Sequence, residues 1–486
     1  MKKGLKLLTC GVICMSTFAW KVNAEEVSSY DKLVSCVAKS GNTCTLANDI
    51  EFSETLNITN GVDVTIDLNG NDITSTTDAV DPLFYINNGS LDVTGKGTIT
   101  AAKDVFSLLG NNVTGGAAIK AELKIGSDVD VTSNTANCIF IKGKGAKADV
   151  YGNLTSKGSY AAIQGNGTVD TKTDNGNTTI NIYDGASVIN ENDHAIYHPQ
   201  TGTLTVNGGT ITGATGIEMR AGNLVVKGGT ITATAKEFSV EANGNGTTTV
   251  GAGIAIAQHT TAKDINVSVS AGTVKGIYAL NESDPNKVLG ETNNNTISIT
   301  GGTFEGAIDS ENETGFITNG NFNTDVTKFL AANGNTSLKE TEDGYKAETV
   351  YEVTKGEDQK ITTKEGTEVT FTIDADYNLF DKLYINGTEV DKKYYTIKSG
   401  STIITLSSDY LATLSSGSHK ITATFTDGGT ATTDLTLVSN DTAPTSNTPQ
   451  NPKTSDNILT YIMASIISIL GLVTTAVGIS KKQKNN

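Results

Sequence analysis

The chain has 486 residues, of which 37% are hydrophobic, with 51 glycines and only 6 prolines. This composition excludes a collagen-like chain and a wholly disordered one. The net charge is −17 at pH 7, and 29 basic residues face 52 acidic ones once the two terminal segments described below are set aside. Because so acidic a surface repels phosphate backbones, we expect no nucleic-acid partner.

Residues 1–24 have the pattern of a secretory signal peptide. Lysines precede an apolar run over residues 7–20, and a small-residue cleavage site ends at Ala24. The run is too short to span a bilayer comfortably, although an uncleaved anchor is the alternative. We therefore expect an exported chain.

Residues 25–45 are predicted to form an N-terminal cap helix. Apolar residues recur at helical spacing behind Ser28 or Ser29, either of which can cap the helix. Cys36 and Cys44 flank the helix exit, and in an exported chain we expect them to form a disulfide.

Residues 46–344 are a repeat array. A unit of the form apolar-x-apolar-x-Gly-Gly-Thr-apolar-Thr is clearest at residues 204–212 and 224–232, and a second strand with an inward Ile recurs between the copies. Alternation with period 2, glycine corners and a repeat of about 22 residues predict coils of three short strands that stack into a parallel β-helix. An array of β-sandwiches is the alternative, but it would not keep one Gly-Gly-Thr register from coil to coil.

This array resembles the right-handed parallel β-helix proteins of the pectate-lyase-like kind, particularly secreted, wall-anchored members. The resemblance covers residues 45 to 340 approximately and rests on the repeat and on the opening segment Val64 to Gly70. It implies the right hand of the coil and an elongated rod.

The residue after the inward Ile of the second strand is expected to point outward and to build an exterior column. Its predicted members are Phe140, Ile163, Tyr197, Glu218, Ala255 and Tyr278. Aromatic side chains in such a column can stack on sugar rings or dock a protein strand. Insertions at residues 174–179 and 281–296 wall this face, and the alternative is that they fold over the column and bury it. The candidate ligand-binding residues are Phe140, Tyr197, Glu218, Arg220 and Tyr278.

Arg220 is the single arginine of the chain. The resemblance implies that a lyase of this kind would use such a basic residue as proton abstractor, and Glu218, Asp193 and His194 are the neighbours that would complete the site. With Met219 inward, however, Glu218 and Arg220 are expected to point outward as a solvated ion pair. We therefore predict no catalytic residue.

No metal or cofactor is predicted either. The four histidines, at positions 194, 198, 259 and 419, show no metal-binding spacing, and no cysteine pair suits zinc. Cys138 occupies a small inward position and is expected to be a core thiol.

Residues 345–439 are predicted to form an immunoglobulin-like β-sandwich. The Gly-Gly-Thr register stops, and longer alternating strands are separated by hairpin turns such as Asn386-Gly387. Residues 400–419 resemble the small immunoglobulin-like modules of Gram-positive surface proteins, which usually act as spacers.

The C-terminal end has the order of a membrane anchor. Residues 440–457 form a Pro-containing stalk, residues 458–480 are long and apolar enough for a transmembrane helix, and residues 481–486 are a basic cytoplasmic tail. The body of the protein is therefore expected outside the cell.

The stalk contains the segment Asn451-Pro452-Lys453-Thr454-Ser455. It resembles the L-P-x-T-G sortase motif of Gram-positive wall proteins: Pro452 and Thr454 match, whereas Asn451 replaces Leu and Ser455 replaces Gly. The resemblance implies that a sortase attacks the Thr454 carbonyl and transfers the protein to a cell-wall precursor. A plain membrane anchor is the alternative.

These patterns together predict an all-β protein: a right-handed parallel β-helix, a small immunoglobulin-like sandwich and a C-terminal transmembrane helix. The predicted function is non-enzymatic binding or adhesion at the cell surface, with a glycan or host protein as ligand. A surface polysaccharide lyase or glycoside hydrolase is the alternative.

Overall fold

The computed structural model describes residues 23–438 except residues 191, 244–245, 258–259, 284–294, 312 and 363–365. The predicted stalk, sorting motif, transmembrane helix and basic tail lie outside the described residues, as do residues 1–22 of the predicted signal peptide. Among the helices that are described, none is long and apolar enough to cross a membrane.

The described chain is all-β and is dominated by one sheet of 31 strands, in which successive coils pair in parallel along three faces. The first face contains Asn23–Val27, Asn42–Leu46, Val62–Asp67, Gly89–Thr94, Ala121–Ile125, Ala146–Val150, Thr178–Ile182, Gly202–Val206, Gly222–Val226, Ile265–Val269 and the start of Asn295–Ser310. The second contains Ile50–Glu51, Ile73–Ser75, Gly97–Ala101, Val129–Ser133, Asn153–Ser156, Ser187–Asn190, Thr210–Gly213, Thr230–Ala233, the start of Thr273–Ser283 and the middle of Asn295–Ser310. The third contains Leu56–Ile58, Phe84–Ile86, Phe106–Leu109, Ile139–Lys142, Ile163–Gly165, His194–His198, Thr215–Met219, Ala252–Ala257 and the ends of Thr273–Ser283 and Asn295–Ser310.

The core lies inside the coils, because alternate residues of each strand are buried and pair with alternate residues one coil later. Phe84 and Phe106, which pair in register, illustrate the stacking, with ring centroids 4.9 Å apart. Paired strands lie about 4.8 Å apart, so an inward residue meets its own counterpart above and below. A solenoid-like stack of parallel coils follows from the repeat.

Glycine corners keep the coils in register. Gly209 and Gly229, the second glycines of the two clearest repeats, have φ of +76° and +79°. A Cβ at Gly209 would lie 2.5 Å from the Ala186 carbonyl oxygen, and one at Gly229 would lie 2.7 Å from the Gly209 carbonyl oxygen. Both the backbone angle and the close approach of the neighbouring coil therefore require glycine.

The N-terminal end is covered by the helix Tyr30–Val37. The Ser29 side chain accepts a hydrogen bond from the Lys32 backbone N–H, and Cys36 is joined to Cys44 by a disulfide. The parallel stack begins before residue 46, earlier than predicted, because Asn23–Val27 pairs in parallel with Asn42–Leu46.

The other end of the stack is closed by antiparallel strands. Gly344–Thr349 pairs antiparallel with Ile317–Phe322 and with Thr336–Thr341, after the short 3-10 helix Thr327–Phe329. The sheet of the stack therefore extends to Thr349, past the predicted boundary at residue 344. This antiparallel strand covers the edge that the last parallel strand would otherwise expose.

Two small sheets follow and share a second core. The four-stranded sheet has the order Val353–Lys355, Val369–Ile373, Thr402–Leu406, Tyr395–Lys398. The five-stranded sheet has the order Gln359–Thr362, Thr430–Val438, Gly417–Phe425, Phe380–Ile385, Thr388–Glu389. Short helices at Tyr377–Leu379, Lys392–Tyr394 and Ser408–Leu411 connect the strands. All pairings are antiparallel except that of Gln359–Thr362 with Thr430–Val438.

Candidate functional site

The third face carries an exterior column, made of the outward residue at the middle of each strand. The pairing register aligns the following residues one per coil: Asn57, Tyr85, Ser107, Phe140, Gln164, Tyr197, Glu218, Ala255 and Asn281. Tyr85, Phe140, Gln164 and Tyr197 are all half-buried, so part of each side chain faces solvent. This column is the surface that the sequence predicted, with different members.

Two predicted members of the column were wrong. Ile163 is buried and pairs with Ile139 and Ile196, which leaves Gln164 in the outward position. Tyr278 pairs with Ala252 and lies outside the column, where Asn281 takes the expected place. The cause is an irregular register on both sides of Tyr278, which separates the second-face part of that strand from its third-face part.

A groove of about 360 Å³ lies beside the part of the column that contains Phe140 and Gln164. Its residues are Asp81, Lys103, Asp104, Thr135, Ala136, Asn137, Phe140, Tyr160 and Gln164. Tyr160 is 52% exposed, and Phe140 is half-buried. The groove therefore presents two aromatic side chains together with carboxylate and amide groups.

The polar side of the groove is held by hydrogen bonds. Asn137 donates through Nδ2 to the Gln164 Oε1 atom (3.2 Å) and to the Ala161 carbonyl (2.6 Å), and its backbone N–H donates to Asp104 (2.9 Å). Burial and the nearby charge of Asp81 raise the pKa of Asp104, against the Asn137 hydrogen bond, which lowers it. The amide and carboxylate oxygens are thus fixed beside the two aromatic rings.

Glu218 and Arg220 are buried, 0% and 2% exposed, so the predicted solvated ion pair was wrong. Arg220 Nε lies 3.8 Å from Glu218 Oε1, and Arg220 donates to the Tyr197 hydroxyl (2.6 Å). His194 Nε2 lies 3.0 Å from Glu218 Oε2, and its Nδ1 lies 2.5 Å from Asp193 Oδ1. All four residues that the sequence considered as a possible catalytic set therefore do meet, with Glu218, Arg220 and His194 buried and Asp193 half-buried.

His194 is held as a cation within this charged cluster, which we define as Asp193, His194, Tyr197, Glu218 and Arg220. Burial alone would lower the pKa of His194, but the charge of Glu218 and the hydrogen bonds of Asp193 and Glu218 outweigh it and raise the pKa to about 10. Two positive and two negative charges then compensate each other, as buried charges require.

Glu218 is covered by a hairpin that the sequence patterns did not indicate. The strands Ser239–Asn243 and Gly246–Val250 pair antiparallel and are inserted between two coils. The Thr249 backbone N–H donates to Glu218 Oε2 (2.8 Å), and the Thr215 hydroxyl donates to the Thr249 carbonyl (2.6 Å). Next to the hairpin, Phe238 packs on Tyr278 with ring centroids 4.1 Å apart. This hairpin lies outside residues 174–179 and 281–296, the two predicted insertions, and most of the second of these is outside the described residues.

Sequence patterns missed Tyr85, Tyr160 and Gln164. Tyr85 stands between the buried Phe84 and Ile86, so period-2 alternation would have placed it outward. Tyr160 lies in an irregular segment before its strand, and no periodic signal marks it. Cys138 is a buried free thiol whose pKa is raised to about 12 by burial. Among the described residues, no group of three or more His, Cys, Asp or Glu is arranged to hold a metal ion.

Compared with protein-family models and with curated proteins, this chain matches none. A solved structure similar to part of it is SGBP-B of the Bacteroides ovatus mixed-linkage glucan utilization locus, in complex with a mixed-linkage heptasaccharide. The identity is 16% and the TM-score 0.15, over 23% of this chain and 32% of that chain. The chain therefore spans about a third of that protein, and a similarity of this extent carries no conclusion about fold or ligand.

Proposed function

We propose that this chain is a glycan-binding protein whose ligand occupies the groove beside the exterior column. The observation that carries the proposal is the groove itself, which is lined by Phe140 and Tyr160 together with the hydrogen-bonded polar groups of Asn137, Gln164 and Asp104. Binding sites of this kind combine apolar faces with a few well-placed polar groups.

The chemistry of the groove fits a sugar. The C–H face of a pyranose ring is apolar and packs on an aromatic ring, while its hydroxyls both donate and accept hydrogen bonds. Asp104 supplies acceptors, and the Gln164 amide, oriented through its oxygen by Asn137, supplies donors. A protein ligand is the other class in the prediction, and the array described below distinguishes the two.

The remaining parts of the proposal rest on the sequence. The coils form a right-handed β-helix, the two small sheets act as an immunoglobulin-like spacer, and residues 451–455 attach the chain to the cell wall through a sortase. In this arrangement the groove is displayed outside the cell, where glycans are encountered.

Binding is favoured over cleavage of the glycan by the state of the charged cluster. A lyase would need Arg220 at the surface as proton abstractor, yet Arg220 is 2% exposed and engages Tyr197 and Glu218. Glu218 is equally inaccessible, since it accepts hydrogen bonds from His194 and from Thr249. The exposed groove is therefore a more direct basis for function than this cluster.

The test is a glycan array probed with the purified full chain and with the double variant Phe140→Ala/Tyr160→Ala. We expect binding to one glycan class, weakened about tenfold or more in the variant, since two stacking contacts are lost. Tyr183→Ala is the matched control, because Tyr183 is half-buried and stacks on Tyr151 (4.1 Å) at another corner of the coils.

Three outcomes would contradict the proposal. Equal binding by the chain and the double variant would remove the groove as the site. Shorter oligosaccharides appearing on incubation with the full chain would instead support the lyase or hydrolase alternative. Binding only to immobilised host proteins would replace the glycan by a protein ligand.

A further inference from the structure

The exterior column alternates between aromatic and polar residues. Tyr85, Phe140 and Tyr197 occupy every second coil, and Ser107 and Gln164 occupy the coils between them. Adjacent parallel strands lie about 4.8 Å apart, so successive aromatic rings are spaced by about 9.6 Å along the stack. The alternation was not visible in the sequence, where Ile163 and Tyr278 were assigned to the column.

The column also has two defined ends. Toward the N-terminus, the coil before Tyr85 carries the polar Asn57, as the alternation requires, and its strand Leu56–Ile58 is the first described strand of the third face, so no aromatic member precedes Tyr85. Toward the C-terminus, the next member is Glu218, which the covering hairpin closes through Thr249. The open stretch from Tyr85 to Tyr197 spans four strand spacings, about 19 Å.

The polymer that matches this pattern is a linear, extended glycan. In a β-1,4-linked chain each sugar ring is turned over relative to the last, so the same face recurs at every second ring, and a disaccharide is about as long as two coils. Rings that present their C–H face would stack on the aromatic residues. The intervening rings would meet the hydroxyl of Ser107 and the amide of Gln164, which can donate and accept hydrogen bonds.

The charge of the groove favours uncharged polysaccharides over anionic ones. Asp81 and Asp104 line the groove, with Lys103 as its only cation among the lining residues, and the body of the chain is strongly acidic. An anionic polysaccharide would be repelled, whereas a neutral one is not.

We propose that the exterior column binds a linear, uncharged β-1,4-linked polysaccharide along the axis of the coils, with alternate sugar rings on Tyr85, Phe140 and Tyr197. This inference rests on the proposed function, to which it adds the class of glycan and its direction. Tyr197 is a suitable terminal platform because Arg220 fixes its hydroxyl, and with it the ring.

Calorimetric titration of the full chain with β-1,4-linked gluco-, manno- and N-acetylglucosamine oligosaccharides of two, four and six sugars tests the proposal. We expect the affinity for one of these series to rise with each added disaccharide, as successive aromatic platforms become occupied. An α-1,4-linked glucohexaose, which coils, is expected to bind at least tenfold more weakly.

Single substitutions distinguish the contributions of the individual aromatic residues to binding. Tyr85→Ala is expected to weaken hexasaccharide binding several-fold while leaving disaccharide binding nearly unchanged, since the shortest ligand can use Phe140 with Tyr160. Tyr183→Ala is the control that removes a tyrosine outside the column, and thermal unfolding of each variant checks that the fold is kept.

Affinity that is independent of length, equal binding of the α-linked hexasaccharide, or no binding of any β-1,4 series would each overturn this inference. The same experiments distinguish failure of this inference from failure of the proposed function. A glycan of another linkage that still depends on Phe140 and Tyr160 would keep the groove as a binding site while rejecting the linear ligand along the column.

Discussion

At the scale of single residues, the charged cluster shows how a surface position becomes an interior one. Glu218 follows the inward Ile217 and so points out of the coil, yet the covering hairpin removes it from solvent. Taking a carboxylate out of water costs several kcal/mol unless it is paired. His194, Arg220 and the Thr249 amide provide that pairing, so the cluster fixes Tyr197 at the end of the open column.

The raised pKa of His194 predicts a pH dependence of stability. The folded pKa is about 10 and the value for an unperturbed histidine is 6.5, so the folded chain keeps a proton that the unfolded chain loses first. This contribution is complete below pH 6.5 and is lost as the pH rises toward 10.

Urea unfolding of the wild type and of His194→Gln at pH 6 and pH 9 tests this prediction. We expect the variant to be less stable by roughly 3 kcal/mol at pH 6, because Glu218 loses a buried cationic partner, and the gap to narrow at pH 9. A gap that is the same at both pH values would show that His194 does not carry the proton. His198→Met is a useful comparison, since burial lowers the pKa of His198 to about 4. The pH dependence that His198 contributes is therefore opposite to that of His194: its stabilisation is lost as the pH falls below 6.5.

At the scale of elements, the covering hairpin divides the exterior column into an open and a closed part. It contacts the coils through backbone groups, with the Thr249 N–H bound to Glu218 and the Thr249 carbonyl bound to Thr215. An insertion of this kind is compatible with the stack because the coils on either side still pair directly, Thr215–Met219 with Ala252–Ala257.

Replacing Thr249 by proline removes the N–H that Glu218 accepts. The expected loss is about 1.5 to 3 kcal/mol of unfolding free energy, the usual contribution of a hydrogen bond to a charged group, and faster hydrogen exchange in residues 215–219. Thr249→Ala keeps the amide and removes a hydroxyl that makes no hydrogen bond, so it is the matched control. Equal stability of both variants would show that the hairpin is not anchored on Glu218.

At the scale of the whole molecule, the stack depends on contacts between adjacent coils, so its ends need protection. The N-terminal end has the helix Tyr30–Val37 and the disulfide Cys36–Cys44, and the other end has the antiparallel strand Gly344–Thr349. Beyond it, Asn319 donates to the Gly428 carbonyl (2.9 Å), and the Thr318 hydroxyl donates to the Asp427 carbonyl. The two small sheets are therefore hydrogen-bonded to the last coil.

Loss of the N-terminal disulfide is expected to loosen the coils near it first. Cys36→Ala/Cys44→Ala should lower the unfolding free energy by about 2 to 3 kcal/mol, since the closed loop is short. Hydrogen exchange should accelerate in residues 42–67 and much less beyond residue 200, because coils communicate only through their neighbours. Uniform acceleration along the chain would instead indicate a single cooperative unit.

The sequence by itself determined the stack of parallel coils and the existence of an outward column. Repeated alternation places Phe140, Tyr197 and Glu218 on the outward side of the third-face strands, and the positive φ of a corner such as Gly209 favours glycine. Such features depend on neighbouring residues and on a fixed period.

Only the tertiary structure decided which members of the column are accessible and which residues join them. Tyr278 leaves the column through a register shift, Glu218 is closed by a hairpin 31 residues away, and Tyr160 reaches the groove from an irregular segment. These outcomes depend on how insertions of unequal length pack against the coils. No periodic pattern encodes that packing, because it is set by contacts between segments distant in the chain.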